Sequence, residues 1–235
     1  MSETIRTMFA NIANDYDKMN DILSFGIHRL WRRITVKNAE LKPDYRILDC
    51  ATGTGDLEIS FKKAITNLSK NEQNGEVIGT DFCEDMLVLA RQKAQEKGID
   101  VKFEFADVMN LQYPDNYFDI ASVSFGIRNV DDPKQGVSEL ARVVKPGGKV
   151  MILEFGQPYG VLAPFYKIYS RNIMPFLGHL IAGDKGAYTY LPETAAKFPA
   201  GEKFINLMNS TNRFSSTKYI PLSSGIAYLY IGFVK

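Results

Sequence analysis

With 235 residues, 45% of them apolar, the chain can bury one large core, and its patterning favours a single α/β domain over two small ones. Lys and Arg total 28 against 27 Asp and Glu, a formal charge of +1 with no long basic block, so nucleic acid is not expected as a partner. Two cysteines (Cys50, Cys83) and two histidines (His28, His179) form neither a disulfide scaffold nor a metal cluster at these spacings, which points to a reducing compartment and no metal.

The first residues, Met1 to Arg6, carry neither the apolar core of a signal peptide nor the Arg/Ser-rich character of a transit peptide, and the expected location is the cytoplasm. Phe9 to Trp31 is amphipathic and precedes the first strand, so it reads as a helical cap folded over a ligand. Within it Tyr16 offers a phenol for proton traffic. His28, between Ile27 and Arg29, reads more readily as structural than as a base, and Trp31 as core.

After Pro43, short apolar runs alternate with helical segments. Ile47 to Cys50, Val77 to Thr80, Val101 to Phe105, Phe118 to Val123 and Val150 to Phe155 read as strands, with helices over 56–68, 84–97 and 132–144. That order predicts parallel strands joined by right-handed crossovers, helices on both faces, and ligands at the carboxyl ends of the strands. Lys145-Pro146-Gly147-Gly148 reads as the turn that stops the last crossover helix, with the next strand starting at Lys149. Residues 66–75 read as a polar surface extension without chemistry, and 156–190, with five aromatics in 156–178, as a helical lid, an apolar surface patch or a core helix under the sheet. Arg213 to Leu222 and Gly225 to Phe233 predict an antiparallel hairpin closing the sheet. The uncharged run Tyr219 to Val234 is 16 residues, broken by Pro221 and Gly225, and short of a membrane span.

The strand–turn–helix at Asp49-Cys50-Ala51-Thr52-Gly53-Thr54-Gly55-Asp56 carries the most information. Gly53 and Gly55 let the backbone approach a ligand at the head of a helix. A dinucleotide loop would have a third glycine where Glu58 stands, and a phosphate loop would need Gly-Lys-Ser/Thr. A glycine turn flanked by Asp49 and Asp56 suits a cationic or neutral nucleotide-like ligand better than a pyrophosphate, and S-adenosylmethionine, with its sulfonium and ammonium charges, is such a ligand. Asp49 and Asp56 are then placed to face its ammonium, although Asp56 equally suits a first helical turn. Asp81, after the second strand and followed by Phe82, is placed for a ribose diol or as a helix N-cap. Asp107 is placed for an adenine amino group, with Val108 and Met109 covering the ring, or is a solvated loop acid. Ser124 to Val130 ends the fourth strand and carries Arg128 and Asn129 where a methyl group would leave; a surface ion pair is the plainer role for Arg128. This loop has neither the Asn/Asp-Pro-Pro-aromatic motif of base amino-methylating enzymes nor a Pro-Cys nucleophile.

Four stretches resemble the UbiE family of class I methyltransferases over nearly the whole chain: Tyr16-Asp17-Lys18-Met19-Asn20-Asp21 through His28-Arg29-Leu30-Trp31, Ala51 to Asp56, Ser124-Phe125-Gly126-Ile127-Arg128-Asn129-Val130, and Arg142 to Gly148 through Leu153-Glu154-Phe155. That family performs the ring C-methylation of ubiquinone and menaquinone biosynthesis. The resemblance implies a seven-stranded, mostly parallel Rossmann-like class I methyltransferase sheet with a C-terminal antiparallel hairpin and an N-terminal helical cap. It implies one domain over 1–235, divided as cap 1–42, cofactor-binding core 43–155, helical substrate-side segment 156–212 and closing hairpin 213–235. By resemblance the cofactor, S-adenosylmethionine with S-adenosylhomocysteine as product, contacts Thr54, Asp81, Asp107, Val108 and Ser124, beside the Asp49, Gly53, Gly55 and Phe82 already placed at the turn and strand ends. The implied substrate is a polyprenyl quinol, most naturally demethylmenaquinol. An aromatic carbon becomes a nucleophile when a neighbouring hydroxyl loses its proton, so Arg128 is assigned to the phenolate, Asn129 to its orientation and Tyr16 to the proton. The apolar 159–177 stretch would lie on the inner face of the membrane. A homodimer is compatible with the sequence. The chain departs from the family at the 66–75 insertion and at Thr211-Asn212-Arg213-Phe214, where a Gly-Phe turn is common. The rivals are a methyltransferase of this fold acting on another small phenol or lipid, a nicotinamide dehydrogenase, opposed by Glu58, and a non-catalytic scaffold, opposed by Arg128 and Asn129.

Overall fold

The computed structural model describes residues 3–69, 75–174, 190 and 193–235. Strands β1 (Arg46–Cys50), β2 (Glu76–Asp81), β3 (Lys102–Phe105), β4 (Phe118–Ser124), β5 (Val144–Phe155), β6 (Phe214–Leu222) and β7 (Ala227–Val234) form a sheet of order β3-β2-β1-β4-β5-β7-β6. The first five are parallel, and β7 runs antiparallel between β5 and β6. The expected mostly parallel sheet with a closing hairpin is what forms.

The central strands are buried on both faces, which is why they read as continuous apolar runs. Along β5, Val150 and Ile152 enter one apolar cluster and Met151 and Leu153 the other. Helices α3 (Ile27–Ala39) and α4 (Asp56–Leu68) cover the second face, with α5 (Glu84–Glu96) joined to α4 through Ile59, Ala90 and Phe103. Helices α6 (Pro133–Val143) and α8 (Glu202–Asn209) cover the first. Asp132 caps α6 by accepting the Gln135 N–H at 3.0 Å, with Pro133 at the first helical position. The cap proper is α1 (Glu3–Ile12) and α2 (Tyr16–Ser24). Helix α3, grouped with the cap in the sequence, packs on the sheet: Trp31 is buried and donates its indole N–H to Ser223 Oγ at 3.0 Å.

At Lys145-Pro146-Gly147-Gly148 the fold differs from expectation. The strand begins at Val144, paired with Phe118, bulges, and resumes with Lys149 opposite Ile120. Gly147 takes φ +79°, and a Cβ on Gly148 would meet the Asp119 carbonyl oxygen at 2.6 Å. The glycines therefore make a bulge within one strand. Helix α7 (Leu162–Ile168) has no buried residue, continues into a π-turn at Tyr169–Ile173, and lies over the cap instead of under the sheet. Residues 70–74 of the polar extension and 175–189 of the aromatic segment, with His179, lie outside the described residues.

Candidate active site

Strand order reverses between β1 and β4, and the crevice at the carboxyl ends of such a pair is where open α/β sheets hold ligands. A cavity of about 590 Å³ lies there. Its floor is the β1 turn with Asp49, Gly53 and Thr54 and the β4 end with Ser124 and Arg128, and α2, α3 and α7 form its roof.

The glycines have distinct tasks. Gly53 takes φ +56° and lies under Tyr16, whose ring carbon would be 3.6 Å from an added Cβ. Gly55 takes φ +82°, and an added Cβ would strike the Phe103 ring at 2.9 Å and Ala90 at 3.2 Å. Gly55 thus supplies the close helix approach that position 58 would supply in a dinucleotide loop. Asp81 ties this turn to α5: its carboxylate accepts the Gly53 N–H and the Cys83 N–H, each at 2.8 Å. Burial pushes the Asp81 carboxyl up.

A chain of polar contacts fastens the cap over the turn. Thr54 Oγ1 donates to Asp17 at 2.5 Å and accepts from Lys93 Nζ at 2.8 Å. Lys93 also pairs with Asp17 and, at 3.0 Å, with Asp56, which Arg32 reaches at 2.8 Å. Burial pushes the Asp56 carboxyl up, but Arg32 and Lys93 outweigh it and hold the group below its ordinary value. Asp56 is therefore charge-compensated within the protein, whereas Asp49 has no cation in hydrogen-bond reach among the described contacts. Asp49 accepts the Ser122 hydroxyl, and burial holds its carboxyl at about 6.

Arg128 makes a buried ion pair, not a surface one. Its Nη1 donates to Glu154 Oε1 at 2.7 Å and to the Phe125 carbonyl at 2.5 Å, while its buried Nε–H has no partner. The guanidinium also lies 5.2 Å from the centre of the Phe155 ring. Asn129, 3% exposed, does not line the cavity; its Oδ1 accepts the hydroxyl of Tyr190, which does. Tyr16 lines the cavity, and burial raises its phenol, with Asn20 and Arg128 acting the other way. It keeps its proton at neutral pH. His28 is held at about 4, chiefly by burial and then by Arg32, and its Nδ1 is 2.5 Å from Ser24 Oγ.

Of the residues singled out in the sequence, Tyr16, Asp49, Gly53, Thr54, Ser124 and Arg128 meet at this cavity. Asp81, Phe82, Asp107 and Val108 do not line it and lie at the neighbouring β2 and β3 ends. There the Phe82 and Phe105 rings are 5.2 Å apart, and Asp107 accepts the Met109 N–H at 2.9 Å. Sequence reasoning missed Asn20, Ser24, Arg32, Lys93, Glu154 and Tyr190. The recurrence of Tyr16, Asn20 and Ser24 every fourth residue was the available signal, since it puts three polar groups on one helix face.

A sheet of this order, with a glycine turn after β1 and acids ending β1 and β2, is the class I fold of S-adenosylmethionine-dependent methyltransferases. A structure of such an enzyme from Aquifex aeolicus shares it, with a TM-score of 0.63 at 17% identity, covering 87% of this chain and 89% of that one. The chain belongs to the ubiE/COQ5 methyltransferase family, whose profile matches residues 1–234. It is 51% identical over 234 residues to the ubiquinone/menaquinone biosynthesis C-methyltransferase UbiE of Bdellovibrio bacteriovorus, covering 99% of this chain and 97% of that protein. It is 42% identical over 226 residues to the demethylmenaquinone methyltransferase of Thermus thermophilus, covering 96% and 99%. The protein is thus a methyltransferase that uses S-adenosylmethionine.

Proposed function

We propose that the enzyme methylates a ring carbon of a polyprenyl quinol, converting demethylmenaquinol to menaquinol. The observation that carries this reading is the division of one cavity into a polar floor at Asp49, Thr54 and Arg128 and a mouth of apolar and aromatic residues, among them Phe25, Leu30, Leu162 and Phe165. A polar headgroup with a long apolar tail fits that division, and the names of the relatives support it.

The residues present suit the cofactor. Gly53 lines the cavity without a side chain and would admit a ligand against its backbone beneath Tyr16, Asp49 would face a cation, and the head of α4 favours a carboxylate. Asp81 and Asp107, at the adjoining strand ends, would hold the ribose and adenine, with Phe82 and Val108 beside them and Ser124 and Gly55 framing the turn. When bound, S-adenosylmethionine supplies the electrophilic methyl group. The guanidinium of Arg128, which lines the cavity, would hold the oxygen of the deprotonated ring hydroxyl, beside which the ring carbon becomes nucleophilic. Tyr16 would relay the proton, its Oη accepting that of the ring hydroxyl as its own passes outward, the ring-carbon proton would be lost after methyl transfer, and Asn129 would act through Tyr190 to orient the headgroup.

Around the mouth Phe25 is 83% exposed, Val161 81% and Phe165 66%. No described helix is long and apolar enough to cross a membrane. This rim would rest on the cytoplasmic leaflet, from which a polyprenyl tail can enter without crossing water.

The test is incubation with methyl-labelled S-adenosylmethionine and short-chain demethylmenaquinol or the demethylated benzoquinol, followed by mass spectrometry of the quinones. Label on the naphthoquinol ring carbon is the expected result. Label only on the benzoquinol would move the substrate to ubiquinone synthesis, and cofactor binding without label on either would overturn the quinol reading.

A further inference from the structure

Glu58 is a carboxyl in the first turn of α4, 0% exposed, with no N–H or hydroxyl of a neighbouring side chain donating to either of its oxygens. A buried carboxylate without partners is among the costliest groups a fold can carry, and it survives there by keeping its proton. The charged group that bears on it most is the partner carboxyl of Asp49 on β1, which is itself 1% exposed, lines the cavity and accepts the Ser122 hydroxyl from β4. The other titratable groups around the pair are Cys50 on β1, Asp81 on β2 and Asp56 on α4. Asp56 is occupied by Arg32 from α3 and Lys93 from α5, Asp17 of α2 by Lys93, and Asp81 by two backbone amides. Asp49 and Glu58 are therefore two adjoining carboxyls, one facing the cofactor cavity and one sealed beneath it.

We propose that Glu58 is a positioning acid: its carboxyl O–H donates to Asp49, so the pair presents one negative charge to the cofactor, and cofactor binding expels the second proton that the pair takes up in acid. This rests on the cofactor cation lying at Asp49, as proposed above. In the free protein the pair passes from one proton to two as pH falls, the second proton going to Asp49. A cation at Asp49 opposes that uptake, so binding returns a proton to the buffer while Glu58 keeps its own. Burial raises both carboxyls, Asp49 to about 6 and Glu58 well above its ordinary value, which matches that order of titration.

Calorimetric titration of the full chain with S-adenosylmethionine, in buffers of different ionisation enthalpy, tests this without turnover. Near pH 6 binding should release about half a proton, the release should fade toward pH 7, and near pH 8 the cofactor's own α-amine takes up a proton as it is bound as the ammonium. Glu58→Leu removes the donor, so the midpoint of the affinity-versus-pH curve should move up and affinity at pH 7 should drop several-fold. Glu58→Gln retains an N–H donor and should keep the wild-type midpoint. Titration of Asp81 would leave that midpoint unmoved in both variants. Binding at pH 6 without proton release, or an unchanged midpoint in Glu58→Leu, overturns the proposal. The proton count on the unmodified chain stands if Glu58→Leu fails to fold. Wild type that binds no S-adenosylmethionine at any pH would instead overturn the cofactor site itself.

Discussion

Gly55 shows how one side chain's absence serves both backbone and packing. At φ +82° a Cβ would be strained, and here it would also drive into the Phe103 ring. Gly55→Ala should cost at least about 1 kcal/mol from the left-handed backbone alone, read as a lower denaturant midpoint, and should weaken cofactor binding through the displaced turn. Arg128 calls for a gentler substitution. Truncation to Ala would strand Glu154 as an unpaired buried charge, and a loss of fold would mask any loss of chemistry. Arg128→Lys keeps a cation for Glu154 but loses the Nε–H and the planar fork. Turnover should fall about 100-fold with S-adenosylmethionine affinity nearly unchanged, and equal losses in both would remove Arg128 from the reaction. His28 bears on pH. Folded, it is held at about 4 against an ordinary 6.5, so the unfolded chain binds more protons between those values and His28 withdraws stability as pH falls through them. Asp49, raised from 3.8 to about 6, acts in the opposite sense, contributing stability in acid that is lost as pH rises through that window. His28→Gln should therefore lose thermal stability less steeply than wild type between pH 6.5 and 4.

Between elements, the cap and the turn are joined by side chains far apart in sequence. Asp17 on α2, Thr54 and Asp56 at the turn, Lys93 on α5 and Arg32 on α3 make one network, and Ala13 with Cys83 and Met86 makes an apolar seam beside it. Nothing periodic in the sequence pairs position 17 with position 93, so this fastening was not legible. The strand–turn–helix at 46–68 was legible because its signals are local: an apolar run, glycines at the turn, then helical spacing. The bulge in β5 was not, because Pro-Gly-Gly ends a strand or bulges it with the same local chemistry and only the pairing with β4 decides. Since the cap sits over Gly53, a cofactor reaching the turn requires the cap to lift. Lys93→Met removes the central cation and leaves Asp17 and Asp56 facing each other, so cofactor association should quicken and proteolysis within residues 3–24 should increase. Stopped-flow binding and limited digestion check both, and unchanged rates would show that the network is ornamental to opening.

Across the whole molecule, the sheet order places every strand end that carries a candidate residue on one side, and the antiparallel β7 completes the sheet without disturbing that side. The topology followed from the alternation of apolar runs and helices, so the place of the candidate cavity was predictable even where its contacts were not. The apolar rim is the feature that a protein acting only on small polar molecules would not keep. Phe25 holds φ +50° at the α2–α3 turn while 83% exposed, an unfavourable backbone and an unfavourable surface in one residue, with its ring 5.8 Å from that of Tyr169. On the proposed membrane contact, a ring placed so at the cavity mouth would gain about 2 kcal/mol if fully buried. Phe25→Asp with Phe165→Asp should reduce sedimentation with phosphatidylglycerol vesicles by at least about tenfold. The same double variant should raise KM for a long-chain quinol in vesicles while leaving turnover of a short-chain quinol in solution nearly intact. Equal loss on both substrates would mean that the rim shapes the pocket itself, and unchanged sedimentation would take the membrane away from this face.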